Sequence, residues 1–372
     1  MKKKTYQILV TCIFCIFVGG MALLSLLLPD RSFSELENRN LQPLPALTAN
    51  RVTSGRFMSE AEDYVSDHIA LRDQWVSLQA WCERISGKQE NRDTYFGVDG
   101  TLINAVPEPD PELQDKNMGY LNDFTEEITI PVYFGLIPTA ASVWREKLPA
   151  GAPTADEQAW IDSFYAVSDA ETIDLYQALR THEAEEIYYR TDHHWTSLGA
   201  FYGANAILDQ MGLQLLNLED YSPETVSDCF YGTTYSSSGA WWVEPDHMER
   251  YVPEDGITVI SNFTGKEVPG SLYVPDRLVT KNKYGYFLGG NQPLCVVKSG
   301  GDGPKLLVIR DSYSDCLAPF LSQRFSEVHL FYLRYNRTSL RSYLEDHQID
   351  MVLILYSFSN FTQENNLFLL TR

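Results

Sequence analysis

The chain lacks any Cys-x-x-Cys pair. Its six cysteines are scattered at positions 12, 15, 82, 229, 295 and 316, so no cysteine-based zinc site is expected. Basic residues are also scarce, with 29 Lys and Arg against 50 Asp and Glu and a net charge of −21. Lys2, Lys3 and Lys4 are the only charges before Asp30. Without those three, 26 basic residues face 50 acidic ones, a net of −24. A body this acidic repels nucleic acid and anionic lipid, and no nucleic-acid-binding module is present, so that class is set aside. There is no internal repeat and no extended low-complexity segment. A hydrophobic content of 44% with 21% charged residues excludes wholesale disorder. At 372 residues the chain is long enough to bury a substantial core, as one large domain or one domain with an appendage.

Only one long apolar run is present, from Tyr6 to Leu28, closed by Pro29-Asp30. About 20 apolar residues suffice to cross a bilayer as a helix. The preceding lysines and the acidic residues that follow predict an inside N-terminus and an exported remainder. Ser25-Leu26-Leu27 is a poor small-x-small cleavage site, so residues 1–28 are read as an uncleaved transmembrane anchor. The expected location is the cell membrane, single-pass, with the C-terminal body extracytoplasmic. Outside the run four cysteines remain; they allow three full disulfide pairings, the sequence selects none, and free buried thiols fit equally. The 13% aromatic content, with 22 Tyr and 7 Trp, suits either a carbohydrate-facing surface or a well-packed α/β core.

Residues 29–55 are proline-punctuated and read as a stalk. Residues 56–86 have helical periodicity, with Phe57, Ala61, Tyr64, Val65, Ile69, Trp75, Leu78 and Trp81 on apolar positions. They predict an amphipathic helix or a broken pair. Thr94–Ile103 predicts a hairpin turning at Asp99-Gly100. The segment 29–116 is thus expected to pack on a main body at 117–372. There strands at 130–137, 172–176, 305–310, 327–333 and 350–356 alternate with helices at 155–167, 196–212, 313–323 and 338–346. Apolar strands joined by helices predict a parallel sheet covered on both faces. Residues 218–302 break this rhythm and read as a β-rich insertion over one face.

Two segments carry candidate chemistry. Asp311-Ser312 follows the apolar strand Lys305–Arg310, and ligands of open α/β sheets bind beyond the carboxyl ends of strands. A serine at such a turn projects Oγ from the sheet, next to unpaired amides of the following helix. Either residue could equally be a plain helix cap. The other segment is Asp192-His193-His194. In extended chain, residues i and i+2 share a side, which pairs Asp192 with His194 and leaves an imidazole nitrogen for a hydroxyl nucleophile. A helix N-cap is the competing reading. A metal site would need completion by Glu186, Glu244, Asp246 or His247, which no spacing compels, so neither metal nor cofactor is expected.

Thr191-Asp-His-His-Trp-Thr196 together with Arg310-Asp-Ser-Tyr-Ser-Asp315 resembles the bacterial DHHW family of exported proteins. That family is similar in turn to the SGNH-hydrolase-like alginate O-acetylation proteins AlgJ and AlgX. Further matches are Glu37-Asn-Arg39, Tyr95–Gly100, Phe230–Tyr235, Phe331–Tyr335 and Val352–Tyr356. The resemblance implies an α/β, three-layer, SGNH-hydrolase-like (flavodoxin-like, permuted) parallel sheet with helices on both faces. It places Ser312 as nucleophile, His194 as base and Asp192 as orienting carboxylate. Two departures stand out: Arg310 replaces the glycine of the usual Gly-Asp-Ser turn, and no Gly-x-Asn-Asp block follows the last strand. Asn360 and Ser357 are then the candidate oxyanion donors beside the Ser312 amide, with Arg334 another candidate for oxyanion or substrate.

The implied activity is O-acetyl transfer to a cell-surface or exopolysaccharide glycan, with acetyl supplied by a membrane-bound O-acyltransferase. An acetyl esterase using the same site, or a non-catalytic glycan-binding scaffold whose surface includes Gly239-Ala-Trp-Trp242, are the alternatives.

Overall fold

The computed structural model describes residues 3–34, 36–37 and 39–372; Lys2 of the lysine cluster and Asn38 of the Glu-Asn-Arg motif lie outside these. The chain forms two compact units. The first runs up to Arg92 and includes Ser236–Trp242; the second comprises Asp93–Tyr235 and Val243–Arg372.

In the first unit, helix α1 (Lys3–Leu27) contains most of the apolar run, and none of its residues is buried. Among the described residues it is the one helix long and apolar enough to cross a membrane. The region 56–86 forms a broken pair, α2 (Arg56–His68) and α3 (Arg72–Ile85). The segment read as a stalk carries structure of its own. Phe33–Ser34 pairs antiparallel with Arg39–Asn40, Glu37 receives Arg72 and Arg92, and Asp67 receives Arg39 at 2.5 Å.

The second unit is built on an eight-stranded sheet. Its strands are β1 (Val132–Ile137), β2 (Glu171–Ile173), β3 (Thr258–Asn262), β4 (Val268–Gly270), β5 (Leu294–Lys298), β6 (Lys305–Arg310), β7 (Glu327–Phe331) and β8 (Met351–Ser357). In space the order is β4-β3-β5-β7-β6-β8-β1-β2. The five strands β7-β6-β8-β1-β2 are parallel and the remaining three antiparallel. Strand β6 explains why this sheet is covered on both sides. Leu306, Leu307, Val308 and Ile309 are all fully buried. Alternation sends Leu306 and Val308 into one core with helix α7 (Ser197–Gln210) and Leu307 and Ile309 into the other with helices α4 (Pro111–Glu127) and α5 (Glu157–Ala166).

The 218–302 insertion covers one face as expected, with Phe230, Met248, Tyr273, Tyr284 and Phe287 in the same core as α7, and it also joins the sheet. Its strands β3, β4 and β5 extend the sheet at the β7 edge, where unpaired N–H and C=O groups of β7 require partners. The hairpin at 94–103 is present, with Thr94–Phe96 paired to Leu102–Asn104. Asp99 and Gly100 both adopt positive φ (54° and 70°), the backbone that favours Asp-Gly in tight hairpins. The strand expected at 172–176 stops at Ile173. Asp174 accepts from the Gln177 amide (2.9 Å) and starts helix α6 (Leu175–Arg180) instead.

Candidate active site

Strand β6 delivers the chain to Asp311-Ser312, and helix α8 (Ser314–Leu321) begins directly after. Asp311 is buried and fully engaged. Its Oδ1 accepts from the Tyr313 amide (3.0 Å), and its Oδ2 accepts from the Ser357 amide (2.8 Å), Ser357 Oγ (2.7 Å) and Asn360 Nδ2 (2.8 Å). This carboxylate therefore locks the end of β6 to the end of β8, its neighbour in the sheet. Ser312 stays partly exposed, and its amide is donated to no described group.

Arg310, in the position of the missing glycine, is fully buried. It contacts Asp315 Oδ1 at 2.7 Å, donates to Asp311 O at 3.1 Å and lies over the Tyr332 ring. Burial pushes the Asp315 carboxyl up to about 6 despite the guanidinium beside it.

The Asp-His-His segment lies in a loop closed by an antiparallel bridge between Tyr188 and Trp195. Thr196, rather than Thr191 or Asp192, caps α7 by accepting from the Gly199 amide (3.2 Å). Asp192 and His194 do meet, although the backbone here is a bend and not a strand. Asp192 Oδ1 accepts from the His194 amide (3.0 Å) and pairs with His194 Nδ1 (2.5 Å), a local side-chain-to-backbone turn. On its other side His194 Nε2 lies 2.7 Å from Ser312 Oγ. The structure thus brings together three residues separated by up to 120 positions in the sequence.

Apart from Asp246, which the sequence offered only as a metal ligand, the residues that hold this hydrogen-bond chain were not singled out from the sequence as site residues. Thr233 donates its amide (2.7 Å) and hydroxyl (3.0 Å) to Asp192 Oδ2. Gly232 approaches Asp192 so closely that an added Cβ would lie 2.3 Å from Oδ2. Tyr284 stacks on the His194 ring, centroids 3.8 Å apart and planes 12° from parallel. Asp246 anchors the base of the loop by accepting from the Arg190 and Thr191 amides, both at 2.9 Å. The Phe230-Tyr-Gly-Thr-Thr-Tyr235 block was the one signal that could have pointed to Gly232 and Thr233.

Burial alone would raise the Asp192 carboxyl, but the two adjacent imidazoles and its hydrogen bonds outweigh this and hold it well below the usual carboxylate range. It is therefore charged wherever His194 needs a partner. Ligand atoms of Asp192, His193 and His194 lie within 4.8 Å of one another. These atoms already have partners: His194 Nδ1 has Asp192, and His193 Nδ1 has Thr233 Oγ1 at 2.7 Å. Of the completing groups considered, Asp246 is engaged with Thr191 and His247 with Asp228.

The remaining candidates separate by environment. Ser357 is fully buried with amide and hydroxyl both given to Asp311, so it supports the turn and does not face a substrate. Asn360 lies beside Asp311 with one Nδ2 hydrogen committed there and a second left over. Arg334 is exposed just beyond β7.

Fold and site together define an α/β protein with an Asp–His–Ser hydrogen-bond chain at the carboxyl edge of its mostly parallel sheet. The DHHW protein family matches residues 132–331, more than half of the chain, and the chain belongs to that family. Among solved structures it is similar to a DHHW family protein from Eubacterium siraeum, with 25% identity, a TM-score of 0.68, and coverage of 76% of this chain and 96% of that one. Bacillus cereus PatB1, solved with a sulfonyl adduct, is similar at 22% identity and a TM-score of 0.63, over 73% of this chain and 96% of that one. The O-acetyltransferase domain of Pseudomonas putida AlgJ follows at 15% identity and a TM-score of 0.47, over 74% of this chain and 94% of that one. No curated protein matches the chain.

Proposed function

We propose that the chain is a membrane-anchored, extracytoplasmic O-acetyltransferase acting on a cell-surface or exopolysaccharide glycan. Ser312 would be its nucleophile, His194 its base and Asp192 its orienting carboxylate. The observation that carries this reading is His194, held between Asp192 (2.5 Å) and Ser312 (2.7 Å). In the first half-reaction Ser312 Oγ attacks the acetyl carbonyl and passes its proton to His194 Nε2. His194 then protonates the departing donor group, leaving an acetyl ester on Ser312. In the second half a sugar hydroxyl attacks that ester, gives its proton to His194, and Ser312 is restored. The free Ser312 amide and the second Asn360 Nδ2 hydrogen are the oxyanion donors of this scheme, and Arg334 would contact substrate.

Helix α1 supplies the anchor of this reading, residues 29–116 connect it to a catalytic domain at 117–372, and a membrane-bound O-acyltransferase would supply acetyl. The test incubates the full-length protein with p-nitrophenyl acetate and follows both release of the phenol and intact mass. Wild type should turn over and show an acetyl adduct on Ser312. Ser312→Ala should lose both, with turnover down by about 10³-fold or more; equal turnover by the two proteins would remove Ser312 as nucleophile. Adding a glycan acceptor separates transfer from hydrolysis, since an esterase would release free acetate and leave the glycan unmodified.

A further inference from the structure

The first unit exposes an apolar stripe that its own fold does not cover. On α3, Trp75, Leu78 and Ile85 recur at helical spacing from Leu71 and are all exposed, while Ala80 on the opposite face is buried. Val65 of α2 and Ile69 after it continue the surface. Such a stripe ordinarily faces a core. The connection between the helices accentuates it: Leu71 adopts a left-handed conformation (φ 58°, ψ 31°) while half exposed. A bulky residue is an outlier there, and the turn presents it outward.

This surface is continuous with α1. Phe17 packs edge-on against Trp75 with ring centroids 6.2 Å apart, and the Ala70 amide donates to Ser25 Oγ at 2.8 Å. A cavity of about 700 Å³ between α1 and the α2–α3 hairpin is lined by Phe17, Met21, Val65, Ile69 and Trp75, with few polar groups. Polar ties sit where the chain leaves α1: Tyr64 donates to Asp30 (2.9 Å) and Arg31 pairs with Asp73 (2.7 Å). At 1.5 Å per residue, Phe17 lies about 15 Å inside the outer end of α1, half the thickness of a hydrocarbon core of roughly 30 Å. The Trp75 ring reaches toward that depth from a backbone held near the outer end of α1, since Asp73, two residues earlier, pairs with Arg31 beyond Leu27.

We infer that the α2–α3 hairpin is an interfacial membrane element whose apolar edge enters the outer leaflet beside α1, its ligand being the acyl chains of a lipid bilayer. This rests on the reading of α1 as a membrane span. Tryptophan and aliphatic side chains on one face of a short helix are the composition that lies in a bilayer interface. Lipid is the occupant the surface favours because it continues the apolar surface of α1, none of whose residues is buried.

The test uses full-length protein in phosphatidylcholine vesicles whose acyl chains carry bromine, against unbrominated vesicles. Helix α1 contains no tryptophan, and Trp75 and Trp81 are two of seven in the chain. Bromine contact should therefore quench up to roughly a quarter of the emission. Trp75→Phe/Trp81→Phe should abolish that quenching, Trp241→Phe should leave it, and Leu78→Trp in the double variant should restore it. Protein that floats with the vesicles but is not quenched, or quenching that survives in the double variant, overturns the proposal while leaving the anchor intact; the face would then be reserved for a protein. Protein that fails to float overturns the anchor reading and the proposal with it.

Discussion

Gly232→Ala should disable the proposed triad without replacing any of its three residues. A Cβ at this position would lie 2.2 Å from Asp192 Cβ, 2.3 Å from Oδ2 and 2.6 Å from Cγ. Ordinary carbon contacts are about 3.5–4 Å, so one side must retreat by more than an ångström. Asp192 cannot retreat and keep its geometry, because Oδ2 is held by the Thr233 amide and hydroxyl and Oδ1 by His194. Overpacking of this kind costs about 1–3 kcal/mol of stability. A misplacement of about 1 Å in a catalytic array costs about 10²-fold in rate, equivalent to about 2.7 kcal/mol.

The assay is kcat/KM for p-nitrophenyl acetate with thermal unfolding in parallel. A folded Gly232→Ala protein should lose about a hundredfold. Asp192→Ala separates this mechanism from general damage, since an effect acting through Asp192 should largely vanish once that carboxylate is gone. A folded Gly232→Ala protein with wild-type kcat/KM would refute the reasoning. So would a further hundredfold loss when Gly232→Ala is added to Asp192→Ala.

Glu157 is buried where it accepts from the Thr139 amide (2.8 Å) and Oγ1 (2.5 Å), and burial pushes its carboxyl up to about 7. Its unfolded value is about 4.3, so between these values the folded state binds the extra proton and stability falls as pH rises. Glu157→Gln should flatten that fall when urea unfolding is compared at pH near 5 and near 8; identical slopes would count against it. Arg310→Ala should destabilise by about 3–5 kcal/mol, because it strands the buried Asp315. Replacing both partners by apolar residues, Arg310→Met/Asp315→Leu, should recover most of the loss in the same denaturation experiment, and a negligible effect of Arg310→Ala would contradict a paired, buried guanidinium.

What was legible in the sequence follows from which contacts are local. Strand β6 could be delimited because burial on both faces makes Leu306–Ile309 apolar without interruption, and its bounds at 305 and 310 agree with the observed strand. The Asp192–His194 pairing was also anticipated, though by a different local geometry: an aspartate accepting from the amide two residues on, not strand alternation. Tyr284 and Thr233 were not visible as parts of the site. They reach it from 90 and 41 positions beyond Asp192–His194, and nothing in a loop's composition states which side chain it will meet. The edge position of β3, β4 and β5 was lost for a related reason, since strand order is decided by which edge is left open.

The departure at Arg310 shows how a chain can change a turn and retain its geometry. Arginine at the end of β6, where the usual turn has glycine, buries its side chain completely, and a buried guanidinium needs a counter-charge. Asp315, in the first turn of α8, supplies it at 2.7 Å. The same guanidinium donates to the Asp311 carbonyl, so the ion pair brackets the residues on both sides of Ser312. Above it, Asp311 draws Ser357 and Asn360 onto its carboxylate, which is why Ser357, placed next to substrate by sequence comparison, turns inward. The Asp311 carboxylate with its four donors and the buried Arg310–Asp315 pair can hold the turn around Ser312 more rigidly than the backbone freedom of a glycine would.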